Sequence, residues 1–175
     1  MTLYLGPLEL VGDRWIIGDP KSRSGSCVVL TAEGVEQHER GSVEALTAVP
    51  WSRFMSLGVR ATPRAWQATR TGGIVDGLGG GYMNGGRSGC SLQGLVHHPY
   101  HDWSVNYAHH ERPYSGAHVF LVQALFQKVS DAKALHRLGD PGWLADAVAR
   151  TAPLPAWYAP SARRRVNEIV EELGT

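Results

Sequence analysis

Turn-forming residues interrupt the first seventy positions every eight to twelve residues, which leaves room only for short strands joined by tight connections. Leu3 to Val11 ends at Gly12-Asp13, a hairpin signal, and Arg14 to Gly18 follows with Trp15, Ile16 and Ile17. Asp19 to Gly25 is a polar loop. Cys27 to Thr31 is apolar and β-branched, and Ala32-Glu33-Gly34 predicts a turn with glycine at positive φ before a strand from Val35 to Glu39. Ala45 to Val49, Phe54 to Ala61 and Arg64 to Arg70 complete this set. Such a succession predicts an antiparallel sandwich or barrel.

The pattern changes twice after that. Residues 72–94 hold ten of the 21 glycines and predict a flexible insertion. Strands are expected near Leu92 to His98 and Trp103 to Ala108, and from Ser115 onward the period becomes helical. His118 to Lys128 is apolar nearly all round, as a buried helix would be. Ser130 is placed to cap a helix from Asp131 to Leu138 that Gly139 terminates. Asp140-Pro141 reads as an N-cap followed by proline at the first helical position, with that helix running to about Arg150. After the linker PLPAWYAP, Ser161 is expected to cap a last helix whose Val166, Ile169, Val170 and Leu173 form one stripe. The class is therefore α+β: a β domain over 1–128 with an insertion at 72–94, and a C-terminal helical extension over 129–175.

Composition narrows the function classes. The 17 Lys and Arg nearly balance 16 Asp and Glu, so the basic excess that supplies phosphate affinity to general nucleic-acid binders is missing. The two cysteines, Cys27 and Cys90, make neither a CxxC motif nor a disulfide framework. No apolar run approaches the length of about 20 residues that spans a bilayer, and MTLYLGPLEL lacks the marks of a signal peptide. A cytoplasmic protein is the expectation.

One block has a familiar cast. In CVVLTAEGVEQHERGSVEALTAVPWSRFMSLGV, a strand ending Leu30-Thr31 turns at Gly34 into a second strand, and Pro50-Trp51-Ser52 opens another after a polar hairpin. This resembles bacterial pleckstrin-homology-like (PH-like) domains over about residues 27–59. The resemblance implies a bent antiparallel sandwich closed at one end by a helix, for which His118 to Lys128 is the candidate. PH-like folds host lipid, peptide and scaffolding functions alike, so the fold alone selects none. In lipid-binding members cations cluster on the first strand pair; Arg14, Lys21 and Arg23 occupy the comparable stretch, weakened by Asp13 and Asp19.

Chemistry-bearing residues concentrate late in the chain. His97, His98, His101, His109, His110 and His118 lie within 22 positions, with Asp102 and Glu111 among them. A zinc or iron site would use His98, His101, His109 and His110 if two strands brought the pairs together, although the spacing matches no established ligand pattern. Cys90 is the candidate nucleophile of a hydrolase with a histidine of this cluster as base. Gly81 to Ser88 has the spacing of a phosphate loop, with Arg87 replacing lysine, but the flanking strand and helix such a loop needs are missing from the pattern.

The last helix carries Arg163, Arg164 and Arg165 early and Glu168, Glu171 and Glu172 late, against the helix dipole. Either tertiary partners offset that arrangement or the arginines face a second molecule. The expected function is a binding or scaffolding module for a protein partner or a second copy of itself, with a membrane lipid as a lesser possibility. Its contact residues would be Trp51, Arg53, the His97–His110 hairpin and Arg163 to Arg165. The alternative is a metal-dependent or cysteine-based hydrolase built on His97 to His118.

Overall fold

The alternation of short apolar runs and turns produces two antiparallel meanders followed by helices. The computed structural model describes residues 3–21, 26–39, 42, 44–62 and 90–174. The first sheet contains β1 (Tyr4–Leu5), β2 (Leu8–Val11), β3 (Arg14–Ile17), β4 (Ser26–Leu30), β5 (Gly34–Glu39) and β6 (Thr47–Pro50), in chain order. The second contains β7 (Phe54–Arg60), β8 (Ser91–Val96) and β9 (His101–Asn106). Every paired neighbour is antiparallel. The sheets do not close into a barrel: β6 and β7 follow each other in the chain yet belong to different sheets, separated by a single 3-10 turn, Trp51–Arg53.

Three helices stand beyond the sheets among the described residues: α1 (Gly116–Asp131), α2 (Pro141–Thr151) and α3 (Ala159–Leu173), with a 3-10 turn at Leu135–Gly139 between α1 and α2. Ser115 caps α1 by accepting from the His118 N–H, and Asp140 caps α2 by accepting from the N–H groups of Gly142 and Trp143. Helix α1 packs against β7 on one side and α3 on another, which explains why its apolar residues surround it. One hydrophobic cluster runs from Leu5, Trp15 and Val28 through Leu121, Leu125 and Phe126 to Val166 and Val170. Two indoles tie the helices down: Trp15 donates to the Pro141 carbonyl at 3.2 Å and Trp143 to that of Gly174 at 3.1 Å.

Several sequence expectations shift. Leu3 to Val11 is a hairpin of two strands, because Gly6-Pro7 turns the chain between β1 and β2. Gly34 does not need positive φ. It opens β5, and a β-carbon there would lie 2.1 Å from the Val49 carbonyl oxygen, so close approach of β6 is what requires glycine. Ser130 caps nothing: it belongs to the last turn of α1, and Leu135–Gly139 is a 3-10 turn where a second helix was expected. Ser91 to Gly94, the end of the glycine-rich stretch, belongs to β8. The strand expected at Arg64 to Arg70 and the phosphate-loop spacing at Gly81 to Ser88 lie outside the described residues. Among the described residues, no helix is long and apolar enough to cross a membrane.

Candidate functional site

The joint between the sheets is held by one indole. Trp51, on the 3-10 turn, is buried, and its Nε1 donates to the Thr31 carbonyl at 2.8 Å, fastening the β6–β7 connection to the end of β4. From the helical side Gly139 presses on the same place; a β-carbon there would stand 2.2 Å from the Thr31 oxygen and 2.5 Å from Trp51 Nε1. Phe54 follows, with its ring 6.2 Å from that of Trp51 and edge-on to Trp103 at 5.1 Å.

Next to this aromatic stack the register of β7 breaks. Phe54 pairs with Val96 and Ser56 with Leu95, leaving Met55 as the extra residue of a bulge. Phe54 and Leu57 therefore both face the core, whereas Met55 turns outward and is 49% exposed. On the opposite side α1 ends in a Schellman arrangement: the Lys133 N–H bonds the Ser130 carbonyl, and the Ala134 N–H bonds that of Val129. Lys133 takes the left-handed position with φ of 56°, where glycine is usual. The chain then enters the Leu135–Gly139 turn, which presents His136 to solvent.

Between the bulge and the helix end lies an open cleft of about 510 Å³, lined by Trp51, Ser52, Phe54, Met55, Lys133, Leu135 and His136. Its floor is aromatic and aliphatic, and its rim bears a lysine and a histidine. A second depression of about 500 Å³ crosses the three-stranded sheet past Ser56, Gln93, Leu95 and Asp102. It is shallower in chemistry, offering mainly small and amide side chains.

The expected contact residues divide. Trp51 is in the cleft, but as a buried pin of the fold with one face available. Arg53 is not in the cleft: its guanidinium donates to the carbonyls of His97 at 3.2 Å and His98 at 3.3 Å, clamping the β8–β9 turn. Arg163, Arg164 and Arg165 are on α3. Because α3 begins at Ala159, two residues before Ser161, they lie beyond the first helical turn, where the dipole acts most strongly. Arg164 and Arg165 both pair with Glu168, and Arg163 sits 5.9 Å from the Phe120 ring. The late glutamates have tertiary partners, Glu171 with Lys128 at 2.6 Å and Glu172 with Arg150 at 3.2 Å.

The histidines do not converge. His98 and His101 flank the β8–β9 turn, whereas His109 and His110 lie past the far end of β9, a strand of six residues and thus about 17 Å long. Both nitrogens of His109 face carbonyl oxygens, His110 at 2.6 Å and Thr62 at 2.9 Å. His110 Nε2 donates to Pro7 at 3.1 Å, and its Nδ1 is 3.6 Å from the Glu9 carboxylate. His101 Nδ1 is 3.1 Å from the Pro99 carbonyl. Among the described residues no group of three His, Cys, Asp or Glu is placed to hold a metal ion. The zinc or iron site composed of His98, His101, His109 and His110 is thus not assembled.

Cys90 is fully buried, and burial pushes its thiol up, further from the reactive thiolate. The Tyr107 and Tyr114 hydroxyls are its side-chain neighbours, and burial suppresses their own ionisation as well. Tyr107 in turn donates to the Arg60 carbonyl at 2.6 Å. The thiol is a core group. Burial likewise drives His110 down, with Arg112 adding to the shift and Glu9 and Asp19 opposing it.

Met55, Lys133, Leu135 and His136 were not among the sequence-derived contact residues. Phe54-Met55 did carry a signal, since two adjacent large apolar residues cannot both face inward on a regular strand. Lys133 carried none, because nothing in Asp131-Ala132-Lys133-Ala134 announces a helix end. Compared with family models, curated proteins and solved structures, the chain matches none.

Proposed function

We propose that this chain is a non-catalytic binding module with a PH-like fold, and that it holds a protein partner in the Trp51–His136 cleft. The carrying observation is the cleft itself, an open site in which a bulge and a left-handed helix end turn Met55 and Lys133 toward the same space. The volume of about 510 Å³ falls in the range of about 300–1,000 Å³ common for ligand sites. The PH-like reading is supported by the succession of two antiparallel meanders and a packed helix. It is also supported by the residues of the resemblance meeting at one joint: Thr31 accepts from Trp51, and Gly34 packs against Val49 and Pro50. Buried Cys90 and the carbonyl-bound His109 and His110 favour this reading over a hydrolase.

The test is a photoreactive residue at Met55, with the captured protein identified, purified and titrated back onto the isotope-labelled chain. Amide shifts clustered at Trp51–Met55 and Lys133–His136 are expected. Shifts confined to α3 or to the β8–β9 turn, or no capture from Met55, would sink the assignment.

A further inference from the structure

We infer that the partner presents an acidic peptide segment to this cleft, an apolar side chain resting on Trp51 and Phe54 and flanking carboxylates meeting Lys133 and His136. The inference rests on the cleft being the binding site, and adds what kind of segment occupies it.

Charge decides the occupant. Among the described residues no carboxylate lines the cleft, and its two basic side chains are a lysine and a histidine. Neither makes an ion pair among the described residues, although other cations of the helical region do: Lys128 with Glu171 and Arg150 with Glu172. A basic segment would therefore find repulsion at the rim, and a neutral one would leave both donors facing only water. The helix end does not explain the lysine, because glycine closes a Schellman turn with less strain.

Shape decides the scale. The cleft is a recess of about 510 Å³, which favours a projecting side chain with its adjoining backbone over a flat surface such as a bilayer. A second copy of this chain is a poor occupant. Its most exposed aromatic segment, Trp157-Tyr158, with 87% and 54% exposure, is followed by Arg163, Arg164 and Arg165 and would bring like charge to the rim.

Random dodecapeptides displayed on phage and selected on the intact protein provide the probe. Selected peptides should carry Leu, Phe or Trp between Asp and Glu, and bind more weakly as salt rises. Their affinity should drop at least tenfold in the Lys133→Gly, His136→Ala double variant and in Met55→Asp, and stay unchanged in Arg164→Ala, Arg165→Ala. Neutral or basic peptides that lose binding in Met55→Asp would overturn the acidic assignment while leaving the cleft as the site. Binders indifferent to every cleft variant, or no binders at all, would overturn both. Sedimentation with phosphatidylserine vesicles that the double variant abolishes would replace the peptide by a membrane.

Discussion

Ser130 Oγ lies 2.9 Å from the backbone nitrogen of Leu57, so the last turn of α1 accepts a hydrogen bond from the backbone of β7. Among the described residues β7 is the outer strand of its sheet, and both groups are buried. Water cannot replace the hydroxyl there. Ser130→Ala should cost about 1–3 kcal/mol, the range for stranding a buried donor, seen as a lower urea midpoint at unchanged slope. A change below about 0.5 kcal/mol would mean that the Leu57 N–H has another acceptor.

Gly139 gives the sharpest steric prediction. An added β-carbon meets a backbone oxygen at 2.2 Å and the pinned indole of Trp51 at 2.5 Å, and neither is the loose end of a flexible chain. Gly139→Ala should therefore destabilise by about 1–3 kcal/mol, as overpacking does, and should shift the Trp51 indole N–H resonance. The ordinary expectation for glycine to alanine in a helical turn is the opposite sign, so thermal unfolding separates the two.

Lys133 behaves the other way. Relieving a left-handed non-glycine residue should stabilise Lys133→Gly by about 1 kcal/mol, measured by denaturant unfolding. The same variant should bind acidic peptides less well. A gain in stability coupled to a loss in binding is the signature of a position kept for its contacts.

The pH dependence follows from His110. Its folded value lies below the unfolded one near 6.5, so as pH falls through that region the unfolded chain takes up a proton that the folded chain resists. Stability contributed by the neutral ring is complete above about pH 6.5, falls below it, and levels off once the lowered folded value is passed. His110→Gln, which keeps a donor for the Pro7 carbonyl, should flatten that part of the pH–stability curve. Glu9, Arg112 and Asp19 face the ring and remain in the variant, so an unaltered curve would assign the dependence to other groups.

Much of the β framework could be read directly. Gly12-Asp13 marked the β2–β3 turn, Ala32-Glu33-Gly34 the β4–β5 turn, and the run Val28 to Leu30 the buried end of β4, because turn chemistry and period-two burial are local properties. The caps at Ser115 and Asp140 differ in this respect: Asp140-Pro141 is legible as a cap followed by a first-turn proline, whereas Ser115 stands where the helical pattern begins without such a pair to mark it. Ser130 and Ser161 looked like caps and are not. A serine before an apolar run has the same local pattern whether it caps a helix or reaches across to another element.

The site itself was hardly legible. Trp51 was recognised as a contact residue through its place in the resemblance, but its indole bond to Thr31 joins positions twenty residues apart. The histidines drew attention by number, yet β9 holds their two pairs at opposite ends, a separation that proximity in sequence conceals. The chain by itself determined strands, turns and most helices, since these depend on neighbours within a few residues. Only the tertiary structure decided that a bulge would expose Met55, that α1 would end at a lysine, and that the two would border one cleft. Those outcomes depend on how β7, α1 and Gly139 compete for the same space, and packing of that kind couples residues about eighty positions apart.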